Sequence, residues 1–145
     1  MKNKILLIII VFVVILAVAV YGIYSYRSKA IESQKINNEY KSYYNVQIIG
    51  NDLLSIINKT ADIDSKYGVQ KNDDGMYIEN DTNSIKIYVK FKYKNDYRAL
   101  EMEKIINGGI ENFAKAYSTA NFVCTEINYH EKTNNVKALT FTEVD

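Results

Sequence analysis

The sequence contains no proline or tryptophan and has one cysteine, one histidine and two arginines. A single cysteine cannot form an internal disulfide, and it cannot build a metal site that needs several thiolates. The 18 basic and 17 acidic residues leave a formal net charge of +1. This balance excludes a strongly basic nucleic-acid-binding protein and a polyacidic tail, so we expect no nucleic-acid partner.

Apolar residues are concentrated in one run near the amino terminus. No charged residue occurs between Lys4 and Arg27, and residues 5–24 are almost entirely apolar. About 20 helical residues span about 30 Å, which is the thickness of the hydrocarbon core of a bilayer. A single segment in lipid must satisfy its own backbone hydrogen bonds. We therefore predict a transmembrane helix, with the lipid bilayer as its partner through residues 5–24.

Two alternatives to an uncleaved anchor stay open. A signal peptide would use Lys2 and Lys4 as its basic region and Ala17-Val18-Ala19 as its cleavage site, giving a cleaved, secreted small domain. The apolar run continues past Ala19, which favours the anchor. A buried core helix is the other alternative, but a small domain has little means to surround a helix that is apolar on every side.

The charges that flank the apolar run are nearly equal on its two sides and barely discriminate between the two orientations in the membrane. Lys2 and Lys4 precede the apolar run, whereas Arg27, Lys29 and Lys35 follow it. A short amino-terminal tail before one long carboxy-terminal domain is typical of a signal-anchor. We expect a single-pass protein, in the cell membrane, whose carboxy-terminal domain lies outside the cytoplasm.

The chain is predicted to have three segments. Residues 1–24 form the anchor with its short tail, and residues 25–45 form a polar stalk, helical or else a disordered tether. Residues 46–145 form one small domain. Within it, apolar residues recur at three- and four-residue steps from Val46 to Ala61, which predicts an amphipathic helix with Gly68 as its carboxy-terminal cap. Gly50 on the apolar stripe predicts a kink or a close approach by a strand.

Alternating and turn-rich segments fill the rest of the domain. Asn72–Gly75 and Asn80–Asn83 are turn signals, and Ser84–Tyr93 alternates apolar and polar residues strictly. Helical turns are predicted from Leu100 to Ile106 and from Ile110 to Tyr117. The predicted strands are Met76–Glu79, Ser84–Tyr93, Asn121–Tyr129 and Val136–Val144. The predicted fold is α+β, a four-stranded antiparallel sheet of two hairpins with two helices packed on one face.

Candidate catalytic groups do not form a recognisable pattern. Cys124 and His130 are six residues apart on a predicted strand, about 20 Å if the strand is straight, which is too far for a thiol and its base. Cys124 is expected in the core and His130 at a hairpin end. Asp62 and Asp64 begin like a calcium loop, but Lys66 stands where an oxygen ligand is required. No catalytic, cofactor-binding or metal-binding residue is predicted, no cofactor is expected, and the domain is not expected to be an enzyme.

Two further features have plain structural interpretations. Lys86, Lys90 and Lys92 share one face of the predicted strand, and they are expected to form a solvated sheet face rather than a site for anionic lipid or polymer. The acidic residues of the first soluble helix, Asp64 included, are likewise expected on a solvated face. Gly108-Gly109 is expected to be a hinge or a helix cap, since it lacks a phosphate-binding pattern.

The overall layout resembles type IV pilins and pseudopilins, which combine an apolar amino-terminal helix, a polar continuation and a small α+β head. This resemblance implies a subunit of a secretion or pilus assembly. The processing site of that family differs here, because Lys4 stands before Ile5 where a glycine is expected. The first acidic residue is Glu32, not an acid five residues into the apolar run.

The soluble part also resembles small uncharacterised single-pass membrane proteins of AT-rich bacteria. The residues that carry this resemblance are Gly50–Asp52, Asn58–Ala61 and Phe122–Thr133. It brings no activity and no site residues. The leading prediction is a single-pass membrane protein that presents a small non-enzymatic α+β domain for interaction or scaffolding at the envelope, with an unknown protein partner. The alternative is a pilin-like subunit.

Overall fold

The computed structural model describes residues 2–94 and 96–145, with side chains from Lys4 onward. The chain divides into two compact units, of which one ends at Ile36 and the other runs from Asn37 to Asp145. Each unit is described by itself. The second unit is called the head below.

The described residues include nine helices and strands. A long helix comes first, and the remaining elements are short. They are α1 (Lys2–Ser42), β1 (Gln47–Ile49), α2 (Gly50–Lys66), β2 (Lys86–Tyr93), β3 (Asp96–Glu101), α3 (Met102–Asn107), α4 (Ile110–Tyr117), β4 (Asn121–Tyr129) and β5 (Val136–Val144).

Helix α1 includes the whole apolar run and most of the predicted stalk. The helical interpretation of residues 25–45 is therefore correct as far as Ser42, after which Asn45 takes a positive φ of 58° in a turn. The boundaries of anchor and stalk at residues 24 and 45 stay predictions. From Asn37 onward α1 belongs to the head, where the Asn37 side chain accepts a hydrogen bond from the Val136 amide at 2.8 Å.

The α+β class and the long apolar helix are confirmed, but the sheet differs from the prediction. It has five strands in the order β1-β4-β5-β2-β3, and β2 pairs with β5 in parallel. The other pairs are antiparallel. The prediction of four antiparallel strands in two hairpins is wrong, because β2 inserts beside β5 rather than pairing with the segment before it.

The predicted strand at Met76–Glu79 does not form. Tyr77 makes only an isolated bridge with Lys71. Asn80 explains why no tight hairpin follows, since its side-chain oxygen accepts hydrogen bonds from the amides of Thr82, Asn83 and Ser84. These bonds close a local loop, and β2 leaves it towards β5. The turn at Asn72–Gly75 is confirmed, with Gly75 at φ 75°.

The second predicted hairpin is confirmed. β4 and β5 pair antiparallel from Asn121↔Val144 to Tyr129↔Val136, with irregular register at Cys124/Glu126 and Asn128/Tyr129. The connecting turn closes with hydrogen bonds between the backbones of His130 and Asn135 and of Asn134 and His130.

The first soluble helix begins four residues later than predicted. Gln47–Ile49 instead forms β1, which pairs with the start of β4. Gly50 then opens α2, and a Cβ there would lie 1.8 Å from the Tyr117 carbonyl oxygen. The expected close approach is thus real, but the neighbour is the end of α4 rather than a strand. Gly68, at φ 68°, follows the end of α2 as predicted.

The segment around Leu100 is a strand, not a helical turn. Tyr88 to Tyr93 pair antiparallel with Asp96–Glu101, so β2 and β3 form the hairpin that the sequence did not reveal. Helix α3 starts only at Met102. Gly108 ends it, and Gly109, at φ 95°, precedes α4, which agrees with the predicted cap.

The core of the head lies between one face of the sheet and the short helices. α2 and α4 contact each other, and α2 and α3 both contact β2. Because side chains alternate along a strand, every second residue of the central strands points into this layer. The buried apolar side chains include Leu53, Ile57, Ile87, Val89, Phe91, Met102, Phe113, Phe122, Cys124, Leu139 and Phe141.

Candidate functional site

The first candidate site is the apolar surface of α1. Every residue from Lys4 to Tyr24 is exposed, and Ile5, Phe12 and Tyr24 keep 58%, 61% and 71% of their surface accessible. By length and composition, the helix is long and apolar enough to cross a membrane. A helix that is apolar all round is stable only where an apolar surrounding covers it.

The lone cysteine and histidine occupy separate structural positions. Cys124 is buried in β4, and its thiol donates to the Glu126 carbonyl at 3.6 Å. Burial raises the pKa of this thiol to about 11, which leaves it protonated and poorly nucleophilic near neutral pH. His130 is buried at the end of the hairpin, where its Nε2 lies 2.8 Å from the Ser84 carbonyl oxygen. Neither group activates the other, so they form no nucleophile–base pair.

A buried polar cluster in the head was missed by the sequence. Asp64 and Glu103 are both buried, although Asp64 was expected on a solvated helix face. Asp64 Oδ1 accepts the Ile85 amide at 2.9 Å. Glu103 Oε1 accepts the Tyr77 amide at 3.1 Å and the Lys86 ammonium at 2.6 Å. The two carboxylates thereby fasten both ends of the 77–85 connection to helices α2 and α3.

The second oxygens of this carboxyl pair have no hydrogen-bond partner within the described residues. Burial raises the pKa of Asp64 to about 7, and the nearby negative charge of Glu103 adds to the rise, whereas the Ile85 amide and Lys86 oppose it. Asp64 therefore titrates near neutrality while it holds the start of β2. No group of three or more metal-ligating side chains occurs among residues 2–94 and 96–145.

The predicted lysine face is only partly solvated. Lys86 is buried and bonds Glu103, with Glu101 3.6 Å away, so the prediction of a solvent-facing side chain is wrong for this residue. Lys92 is exposed and pairs with Asp145 at 2.5 Å. Because these cations have carboxylate partners, the face presents less free positive charge than the sequence suggested.

The second candidate site is a shallow groove of about 230 Å³ in the head, between the β2–β3 hairpin and helices α3 and α4. Its floor is aromatic, since the Phe91 ring centroid lies 4.7 Å from Tyr117 and 6.1 Å from Phe113. Leu100 of β3 forms one wall and keeps 39% of its surface exposed. Lys104 of α3 stands at the rim.

Strand β3 borders this groove and forms an edge of the sheet. It pairs with β2 on one side only, and Asp96 to Leu100 are all exposed. Edge strands display unpaired backbone donors and acceptors, which is the surface that an added strand requires. The groove therefore combines an apolar wall with an exposed strand edge.

Comparisons with protein-family models, curated proteins and solved structures gave no match. The resemblances to pilins and to small bacterial membrane proteins therefore stay predictions.

Proposed function

We propose that the protein is a single-pass membrane protein whose apolar helix anchors a small, non-enzymatic interaction domain at the cell membrane. One observation supports this most strongly. The stretch 5–24 exposes side chains such as Ile8 and Val18 throughout, whereas Leu53, Ile57 and Leu139 of the head are fully buried. The stretch carries 15 exposed Val, Leu, Ile and Phe side chains, and leaving such a side chain in water rather than burying it is unfavourable by roughly 1.5–3 kcal/mol.

Features of the head support the interaction role. The lone thiol is buried, and the lone histidine is hydrogen-bonded to a backbone carbonyl. An exposed edge strand beside an apolar groove is a common means of holding a protein segment. We propose that the head, which follows the apolar helix, lies outside the cytoplasm.

Alkaline carbonate extraction of membranes tests the anchor. The full chain should stay in the pellet after the wash and enter the supernatant only with detergent. Release of the full chain by carbonate or high salt would contradict the proposal.

Orientation needs a separate experiment. A cysteine placed at Asn83, in a Cys124→Ser background, should react with a membrane-impermeant maleimide on intact cells. Labelling that requires lysed cells would place the head on the cytoplasmic side.

A further inference from the structure

We infer that β3 and its groove form a docking site for an extended, acidic and apolar segment of a partner protein, which adds to the sheet as a sixth strand. The inference rests on the proposed interaction role and names its surface and its ligand class. Three features of the head support it: a free strand edge, an adjoining apolar groove, and two cations that no carboxylate of the described chain neutralises.

The strand edge offers backbone groups to a ligand. The Tyr97 amide donates to the Asp96 side chain at 2.8 Å rather than across the sheet, so it points away from β2, where the Asp96 carboxylate already satisfies it. Backbone groups of alternate residues in an antiparallel strand point to the same side. The amide and carbonyl of Ala99 therefore also point outward. An added strand would pair with them.

The register places the apolar and charged side chains on one face. Arg98 is opposite Phe91 and Leu100 is opposite Val89, and both partners in β2 are buried on the core side. Arg98 and Leu100 thus lie on the same face as the groove. Side chains two residues apart on the added strand point to the same face of the sheet. Those on the groove side would extend over the groove wall.

The charges favour an acidic ligand. The Arg98 guanidinium stacks on the Tyr93 ring at 3.8 Å, and Lys104 is exposed at the groove rim. Across residues 4–94 and 96–145, no ion pair joins either cation to a carboxylate. A ligand strand that carries a carboxylate and a branched apolar side chain on the same face would complement both the cations and the apolar groove wall.

A second copy of the chain fits this edge less well. Antiparallel pairing of two β3 strands centred on Ala99, with residues 97–101 overlapping, would set Arg98 of one copy opposite Leu100 of the other. The apolar wall would then receive a guanidinium, close to Lys104. The edge is therefore assigned to a different, acidic segment, and self-pairing becomes an outcome of the test.

The test uses the full chain in lipid nanodiscs and two fluorescently labelled peptides with capped termini. The acidic peptide has the sequence TETLTV, and the matched control TKTLTV differs only in its charge. The acidic peptide should bind about tenfold or more tightly than the control, and it should slow hydrogen exchange of segment 96–101 but not of β4. In Arg98→Gln the preference should weaken, because only Lys104 remains, and in Arg98→Glu it should be lost.

Three results would overturn the inference. The first is equal binding of both peptides, and the second is no protection of segment 96–101 by either. The third is exchange in this segment that slows as protein concentration rises without peptide, since that would reveal self-pairing. Unchanged exchange of β4 and β5 in the variants shows that the head is folded. Failure here leaves the membrane anchor untouched, because carbonate extraction tests that part independently.

Discussion

The two apolar regions of this chain differ in where their side chains go. In the amino-terminal run, Ile9 and Leu16 keep 54% and 49% of their surface exposed, whereas Leu53 and Phe122 of the head are fully buried. The head distributes apolar residues at helical and strand periods, and this periodicity creates one inward face. The run has no such period. The same residue types therefore build a protein core in one region and an exposed apolar surface in the other.

Charges introduced into the run should have the largest effect on this contrast. In Ile10→Lys/Val14→Lys, each ammonium would cost about 2.5–3.5 kcal/mol near the bilayer centre, so membrane retention should be lost. Quantitative blotting of carbonate-washed membranes measures this. Ser28→Lys, beyond the run, is the matched control and should stay in the pellet.

Truncation of an apolar side chain should affect the stability of the head differently in the two regions. Leu53→Ala should lower the free energy of unfolding of the head by about 2–5 kcal/mol, because it opens a cavity in a packed interior. Ile9→Ala should leave it unchanged. Denaturant titration of the chain in detergent, followed by tyrosine fluorescence, gives both values. Equal losses in the two variants would show that the run packs as protein core.

Glycines should show the same difference on a smaller scale. Gly50→Ala forces a methyl group into the Tyr117 carbonyl, so α2 or α4 must shift, at a cost of about 1–3 kcal/mol. Gly22 in the run has no atom within 4 Å of an added Cβ, and Gly22→Ala should leave the head unaffected. Thermal melts of the two variants make the comparison.

Asp64 should give an effect that depends on pH. The pKa of the Asp64 carboxyl is about 7 in the folded head, whereas an unperturbed aspartate has a pKa of 3.8. Folding therefore favours the protonated form. The corresponding stability is fully present below about pH 4 and is lost as the pH rises through 7. Asp64→Asn should remove a fall on the order of a few kcal/mol between these pH values, because each pKa unit of difference corresponds to about 1.4 kcal/mol. Parallel denaturant curves across the range would test it, and an unchanged slope in the variant would contradict the assignment.

The sequence predicted those elements that have a strong local pattern. The apolar run, the β4–β5 hairpin and the caps at Gly68 and Gly108 follow from composition, alternation and backbone preference. β1 and β3 were missed because an edge strand is defined by its neighbour. Three residues such as Gln47–Ile49 show no period, and Asp96–Glu101 contains residues that also suit a helix.

The polar cluster and the groove depend on long-range contacts. Asp64 lies on an ordinary helix, and only the arrival of β2 and α3 buries it beside Glu103 and Lys86. A charged residue on an amphipathic helix gives no sign of such burial in the sequence. The parallel pairing of β2 with β5 was hidden for the same reason, since about 50 residues separate the paired positions and no local turn records them.

The intact mass of the chain extracted from membranes shows whether the apolar run stays attached to the head. We expect the membrane-bound species to retain residues 5–24, with the folded head attached. A species that begins at Val20 would show that the apolar run is a signal peptide, and the anchor would then be wrong.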